Sequence, residues 1–271
     1  MNAQVPRTID SNEEQLGSLS FMEYYSSNVE GDINIKSDVG VILPTYCEAA
    51  NIGQLIQEIE GLKQKISILV IDDSSPDGTA NIVRSLQEKY NNILLLSRPK
   101  KYGLGTAITD GFKIFLSLKN PPEYIVTMDA DYSHNPKDVP CVVSAAKEGK
   151  GLAIGSRYCK GGRIINWSLF RLVTSRIANL VASSLVRARI RDYTSGLRCY
   201  STKLVKEIVN DLHSQTYEIQ IETIRQAFQR KFDIREVPMT FVNRKKGKSK
   251  LTPNEIGEFI SYIMKLGSEK I

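Results

Sequence analysis

Tyr124-Ile125-Val126-Thr127-Met128-Asp129-Ala130-Asp131-Tyr132-Ser133-His134-Asn135-Pro136 changes character at Asp129. The apolar run before it has the length of a buried strand. Asp129 and Asp131 then place two carboxylates just past the strand end. At the carboxyl edge of a parallel sheet, such a pair faces the crevice where open α/β folds bind ligands. One divalent cation can join both carboxylates to a diphosphate. Mg²⁺ and Mn²⁺ favour oxygen ligands, and Mg²⁺ is usually held by one or two carboxylates plus substrate phosphates. The same residues also suit an Asp-rich turn leading into a helix N-cap, because Asp, Ser and Asn favour both places.

Upstream, a repeating pattern begins at Val39. Val39 to Leu43 reads as a strand and Ala49 to Leu62 as a helix with Ile52, Leu55, Ile56 and Ile59 on one face. Ile68 to Ile71 and Ile93 to Leu96 read as further strands, each followed by a helix. After the quoted stretch come a helix over Val139 to Lys147 and a short strand over Leu152 to Ile154. Alternating strands and helices predict βαβ units, hence an α/β class with a mostly parallel sheet covered on both faces. Right-handed crossovers put the strand-end loops on one edge. Those loops hold Pro44, Tyr46, Glu48, Asp72, Asp73, Asp129 and Asp131, and this convergence favours the ligand reading over the bare turn.

Asp72-Asp73 end the second strand, and Pro76 and Gly78 supply turn chemistry. One carboxylate of the pair is free to face the crevice while its neighbour braces the loop. A carboxylate so placed accepts hydrogen bonds from a base N–H or a ribose hydroxyl. Lys100 to Thr106 has the look of a phosphate loop but fits neither glycine-rich phosphate pattern. Gly103 and Gly105 are expected to open the following helix.

Four scattered cysteines form no C-x-x-C pair, which argues against zinc or redox chemistry. The polar N-terminus has no signal-peptide pattern, and no apolar run approaches the roughly 20 residues of a membrane span. The expected location is cytoplasmic. A net charge of +6 favours an anionic partner. Residues 1–36 lack periodicity and read as a flexible N-terminal arm; residues 37–271 read as a single catalytic domain.

Val41-Ile42-Leu43-Pro44-Thr45-Tyr46-Cys47-Glu48, Ile71-Asp72-Asp73-Ser74-Ser75-Pro76-Asp77-Gly78, Gly103-Leu104-Gly105-Thr106-Ala107 and Met128-Asp129-Ala130-Asp131 together resemble the inverting family 2 glycosyltransferases. Gly155-Ser156-Arg157-Tyr158 and Ser195-Gly196-Leu197-Arg198-Cys199-Tyr200 narrow the resemblance to dolichyl-phosphate mannosyltransferase-like enzymes. It runs from about Val39 to Leu266 in the right order.

The resemblance implies an A-type glycosyltransferase fold and transfer of mannose from GDP-mannose to a polyprenyl (dolichyl) phosphate, with Mg²⁺ or Mn²⁺. It implies that Pro44, Tyr46, Glu48, Ile71 and Asp73 hold the nucleotide and that Asp129, Ala130 and Asp131 hold metal and diphosphate. Arg157 would sit at the sugar and the acceptor phosphate, with Arg171 and Ser175 on that phosphate. Arg244 and Lys250 would close over the donor diphosphate. Ser133 stands where some relatives place a Gln in the metal shell, and Leu197 replaces a more usual Phe. The related use of UDP-glucose stays open at this point.

The chemistry agrees with this demand. A phosphate monoester already carries between one and two negative charges near pH 7, because its second pKa is about 6. It needs little help from a base, whereas the leaving diphosphate needs its charge neutralised. Residues Ile164 to about Arg187 predict one or two amphipathic helices, and Pro253 to Leu266 another. Either a core-facing stripe or contact with a membrane interface explains the former. The latter makes the chain peripheral at the cytoplasmic face of a membrane and leaves room for a membrane-anchoring partner subunit. The run Arg244 to Lys250 reads as a phosphate-gripping loop. A basic, non-catalytic nucleotide- or nucleic-acid-binding protein is the alternative class, but the acidic crevice loops disfavour nucleic acid.

Overall fold

The computed structural model describes residues 28–243 and Tyr262. Arg244, Lys250 and nearly all of the expected C-terminal helix lie outside the described residues. So does the arm up to residue 27. The last part of the expected arm does not stand apart from the domain. Val29–Glu30 (β1) pairs antiparallel with Ile93–Ser97 (β4), matching Val29 to Leu96.

The expected βαβ repeat is present. It comprises β2 (Val39–Thr45), α1 (Ala49–Glu60), β3 (Ile66–Asp72), α2 (Thr79–Gln87), β4, α3 (Leu104–Ser117) and β5 (Tyr124–Thr127). There follow α4 (Val139–Gly149), β6 (Leu152–Ser156), β7 (Arg163–Ile165), α5 (Leu169–Val186), β8 (Arg198–Ser201), α6 (Thr202–Ile208), α7 (Ile219–Gln229), β9 (Ile234–Pro238) and β10 (Thr240–Val242). The main sheet runs β1-β4-β3-β2-β5-β8-β6-β9, and a separate parallel pair joins β10 to β7. All pairings in the main sheet are parallel except those of β1 and β8.

Because side chains alternate along a strand, each strand feeds two cores. Val41 and Leu43 of β2, with Ile68 and Val70 of β3, pack with Leu55 and Ile56 of α1, Val83 of α2 and Val142 of α4. On the opposite face Ile42, Leu69 and Ile71 pack with Phe112 and Phe115 of α3, Leu204 of α6 and Ile221 of α7. Fully burying each such aliphatic or aromatic side chain is worth about 1.5–3 kcal/mol. With both faces covered, the strands read as near-continuous apolar runs rather than alternating ones.

The chain builds outward from β2 through β3 to β4, then crosses back to place β5 on the other side of β2. The strand order therefore reverses between β2 and β5. Loops that leave their carboxyl ends diverge there and open a crevice.

The helix expected from Ile164 starts later. Arg163–Ile165 is a strand, registered with Thr240–Val242. Asn166 then takes a φ of 60° and Ser168 caps α5, its side chain accepting from Arg171 N. The face of α5 read as apolar is exposed rather than in the core: Leu169 is 81% and Phe170 82% accessible, with Val173, Ile177 and Leu180 also out. By length and composition α5 is apolar enough to cross a membrane, contrary to the sequence expectation. However, Asn179 on its inner face is bonded to Thr194 and Tyr193, which ties the helix along the domain.

Candidate active site

At the acidic end of the crevice, side chains of neighbouring loops brace one another. Thr45 ends β2, and its hydroxyl donates to Asp72 Oδ1 at 2.8 Å. Asp72 also accepts from Ser75 N and Ser75 Oγ (2.9 and 2.6 Å), and Ser75 Oγ accepts from Cys47 N at 2.8 Å. Asp77 Oδ2 accepts from Ala49 N at 3.0 Å, so a residue before α2 caps α1. Its Oδ1 accepts from Thr79 N and Thr79 Oγ1. Burial opposes ionisation of Asp77, yet these bonds hold its carboxyl below the ordinary range.

Pro44 lies in β2 opposite Ile71, and Tyr46 is half-buried with Lys101 Nζ 5.6 Å from its ring centre. Glu48 is buried and accepts from Asn51 Nδ2 at 2.8 Å. The Ile71 side chain belongs to the core, so Ile71 meets the crevice through its backbone. Ala130 is likewise packed in the other core.

Asp73 is more enclosed than a residue simply facing the crevice. Arg98 Nε donates to its Oδ1 at 2.6 Å, and Tyr102 N and Gly103 N donate to its Oδ2 at 3.1 and 3.4 Å. Burial pushes the Asp73 carboxyl up against the pull of Arg98. Asp72 and Asp73 therefore both brace the loop. Arg98 also reaches Thr106 and Asp110 at the start of α3. Gly103 opens that helix with a φ of 101°, as expected of it.

Asp129 and Asp131 sit where β5 meets this edge. Asp131 is buried, and its Oδ1 accepts from Ser133 N at 3.0 Å across a turn whose Tyr132 has a φ of 61°. The Asp129 side chain is 35% exposed, and its Oδ2 lies 3.3 Å from Nε2 of the fully buried His134. Gly196 passes beneath it: a β-carbon there would stand 3.0 Å from both Asp129 carboxylate oxygens. Among the described residues no group of three or more His, Cys, Asp or Glu could hold a metal. Two strand-end carboxylates two residues apart in the chain suit Mg²⁺ or Mn²⁺ completed by substrate phosphate, rather than a closed all-protein cage.

The basic end is built from distant segments. Arg157, just past β6, is buried and clamped by the fully buried Asp192: Nε to Oδ2 is 2.8 Å and Nη2 to Oδ1 is 2.7 Å. Arg157 N also donates to Asp192 Oδ2, and Nη2 donates to Thr194 Oγ1. Burial disfavours both charges. The pairing nonetheless holds the Asp192 carboxyl below, and Arg157 above, their ordinary values. Asp129 adds to the field on Arg157.

Arg157 lies 5.3 Å from the Trp167 ring centre and 5.5 Å from that of Phe241. Arg171 stacks on the same rings at 4.2 and 5.7 Å and donates to Asn243 Oδ1 at 2.8 Å. Ser175 accepts from the Tyr158 hydroxyl at 2.8 Å, and the Tyr158 ring is 5.2 Å from Arg157. The structure thus gathers Arg157, Arg171 and Ser175 around one set of rings.

Sequence reasoning missed Arg98, His134, Asp192, Thr194, Trp167 and Phe241 as site builders. Asp192 stands three residues before the Ser195-Gly196-Leu197-Arg198 motif, a proximity that was the available signal. Nothing in spacing pairs it with Arg157.

The model for glycosyl transferase family 2 matches residues 40–230. A polyprenol monophosphomannose synthase of Mycolicibacterium smegmatis is 35% identical over 229 residues, 84% of this chain and 86% of that protein. A dolichol-phosphate mannosyltransferase of Pyrococcus furiosus is 35% identical over 232 residues. That match takes in 84% of this chain and 63% of the longer Pyrococcus protein. Among solved structures, glucosyl-3-phosphoglycerate synthase from Mycobacterium tuberculosis with Mn²⁺, uridine diphosphate and glucosyl-3-phosphoglycerate superposes with a TM-score of 0.60. The match has 17% identity and covers 97% of this chain and 85% of that one. The likeness is one of fold, the A-type glycosyltransferase α/β architecture.

Proposed function

The chain belongs to glycosyl transferase family 2, and from that premise we propose that it moves mannose from GDP-mannose to a polyprenyl phosphate with inversion at the anomeric carbon. The relatives at 35% identity support a glycosyltransferase acting on polyprenyl phosphate. What supports the reading is the pair of carboxylates just past β5, Asp129 and Asp131, of which Asp129 acts on the buried Arg157, together with two guanidiniums, Arg157 and Arg171, within cation–π range of one indole. Acids for a metal diphosphate and arginines for an anionic nucleophile are what the reaction requires.

A phosphate oxygen of the acceptor attacks C1 of the sugar. The bond from C1 to the donor diphosphate breaks, and its electron pair leaves with GDP. Mg²⁺ or Mn²⁺, held by Asp129 and Asp131, would neutralise charge developing on that diphosphate. Arg157 and Arg171 hold and orient the acceptor phosphate through charge-assisted bonds, with Ser175 beside them. The loops bearing Pro44, Tyr46, Glu48, Ile71 and Asp73 enclose the nucleotide, and Arg244 and Lys250 are assigned to the donor diphosphate on resemblance alone. The exposed apolar stripe of α5 supports work as a peripheral protein at the cytoplasmic membrane face, where a lipid acceptor is met.

The test is turnover by the purified protein with polyprenyl phosphate in vesicles, comparing GDP-mannose with UDP-glucose. Release of GDP that needs both the acceptor and the divalent cation is the expected result. Preference for UDP-glucose would overturn the donor, and no release with either donor would overturn the reaction.

A further inference from the structure

Two guanidiniums that stack on one ring are close neighbours. Arg157 and Arg171 each lie within stacking range of Trp167, which sets them within about 10 Å of each other, where like charges repel. Asp192 offsets the charge of Arg157. Arg171 donates to the neutral Asn243. What the two cations share is a pair of aromatic faces, Trp167 and Phe241. The two rings meet edge to face, with centres 5.2 Å apart. Ring faces attract cations through their quadrupole, the indole most strongly.

The support of these rings is itself specific. Among the described residues β7 and β10 pair only with each other, and that small sheet ends beside Trp167 while containing Phe241. Asn243 N donates to Ile165 O at 3.0 Å, so the strand pair fixes Asn243, the partner of Arg171, as well. The indole N–H is buried with no hydrogen-bond partner among the described residues. An unpaired buried donor is costly, so this ring is not placed here for its hydrogen bond.

We propose that Trp167 is a positioning residue for the acceptor phosphate: its indole, within cation–π range of both Arg157 and Arg171, holds the two guanidiniums near one another so that both reach one anion. The proposal rests on the reading of polyprenyl phosphate as acceptor. The shared ring keeps both guanidiniums in place before the anion arrives. Preorganised donors of this kind lower the cost of binding.

Trp167→Leu removes the π face, and Trp167→Phe keeps one without the N–H. Acceptor efficiency should fall about threefold to thirtyfold in the leucine variant, the range of a lost cation–π contact. Donor KM should stay at the parent value, and the phenylalanine variant should recover most of the loss. Binding of farnesyl phosphate, measured by calorimetry, should weaken in the same order without any turnover. Trp167 is the sole tryptophan, so its emission in the parent should change with farnesyl phosphate and not with GDP.

Equal farnesyl phosphate affinity in parent and leucine variant overturns the proposal. So does a phenylalanine variant as impaired as the leucine one, which would move the role to the indole N–H. If the parent never turns over polyprenyl phosphate yet the leucine variant still loses farnesyl phosphate affinity, the functional reading fails while the positioning role stands. Should the leucine variant melt early, Phe241→Leu removes the second shared ring and is expected to show the same acceptor-specific loss; an unchanged acceptor efficiency there also overturns it.

Discussion

The two ends of the crevice are held by different means. At the acidic end, loops from adjacent parallel strands lock one another through several separate side-chain bonds: Thr45 to Asp72, Cys47 to Ser75, Ala49 to Asp77. Each of these bonds is modest, and the loops would keep much of their shape without any one of them; the buried Arg98–Asp73 pair is the exception at this end. At the basic end, Arg157, Trp167, Arg171, Asp192 and Phe241 come from four separate segments and meet through one buried ion pair and one group of rings. The first end is redundant. The second hangs on a few contacts, and single changes there should cost more.

The sharpest way to break this contrast is Asp192→Asn. Removing one partner of a buried pair typically destabilises by about 3–5 kcal/mol, and urea unfolding should read a loss of that order. A loss below about 1 kcal/mol, the range of an exposed pair, would mean that the basic end is as redundant as the acidic one. The pH dependence has a defined sign. The folded Asp192 carboxyl lies below its ordinary value, and unfolded Asp titrates near about 3.9. Its stabilisation is therefore full above that pH and fades as pH falls through the lowered folded value. Parent and variant should converge in acid, as followed by circular dichroism.

Asp131→Ala comes next and addresses chemistry at the acidic end. Loss of an electrostatic stabiliser costs about a hundredfold or more in kcat, while unfolding should register no more than the roughly 1–3 kcal/mol of leaving one buried donor, Ser133 N, unpaired. Near-parent turnover with Mn²⁺ would remove the carboxylate pair from the reaction.

Arg171→Lys separates charge from shape. Lysine keeps the charge and loses the planar fork. A lost charge-assisted bond is worth roughly 1.5–3 kcal/mol, so acceptor efficiency should fall about tenfold to a hundredfold with donor affinity unchanged. A variant equal to the parent in acceptor kinetics would leave Arg171 as a merely stacked surface cation.

The smallest effect belongs to Asp77→Ala. It removes the cap on α1, and a lost helix cap costs about 1 kcal/mol. Thermal unfolding should register that shift with transfer intact. A drop as large as that for Asp192→Asn would show that the acidic end, too, depends on single contacts.

These differences also explain what was legible. Periodicity alone located the strands from Val39 to Thr127, because each is buried on both faces and bounded by a helix pattern. The carboxylates Asp72, Asp73, Asp129 and Asp131 stood out because charge directly after an apolar strand is conspicuous. Short elements were harder. Arg163–Ile165 continues without a break into the apolar pattern of α5, and only its partner β10 makes it a strand. Val29–Glu30 carries no pattern at two residues. The exposure of Leu169 and Phe170 was equally hidden, since an apolar stripe looks the same whether it faces a core or not.

The sequence by itself determined the α/β class, the edge on which the strand-end loops gather and the residue types available there, because side-chain period and strand-end charge are local properties. The tertiary structure decided that the strand order reverses between β2 and β5 and that Asp73 is braced by Arg98. It also decided that Asp192 clamps Arg157 and that Trp167 lies against two arginines. Those are contacts between segments tens of residues apart, and they exist only once the two cores have closed the chain around them.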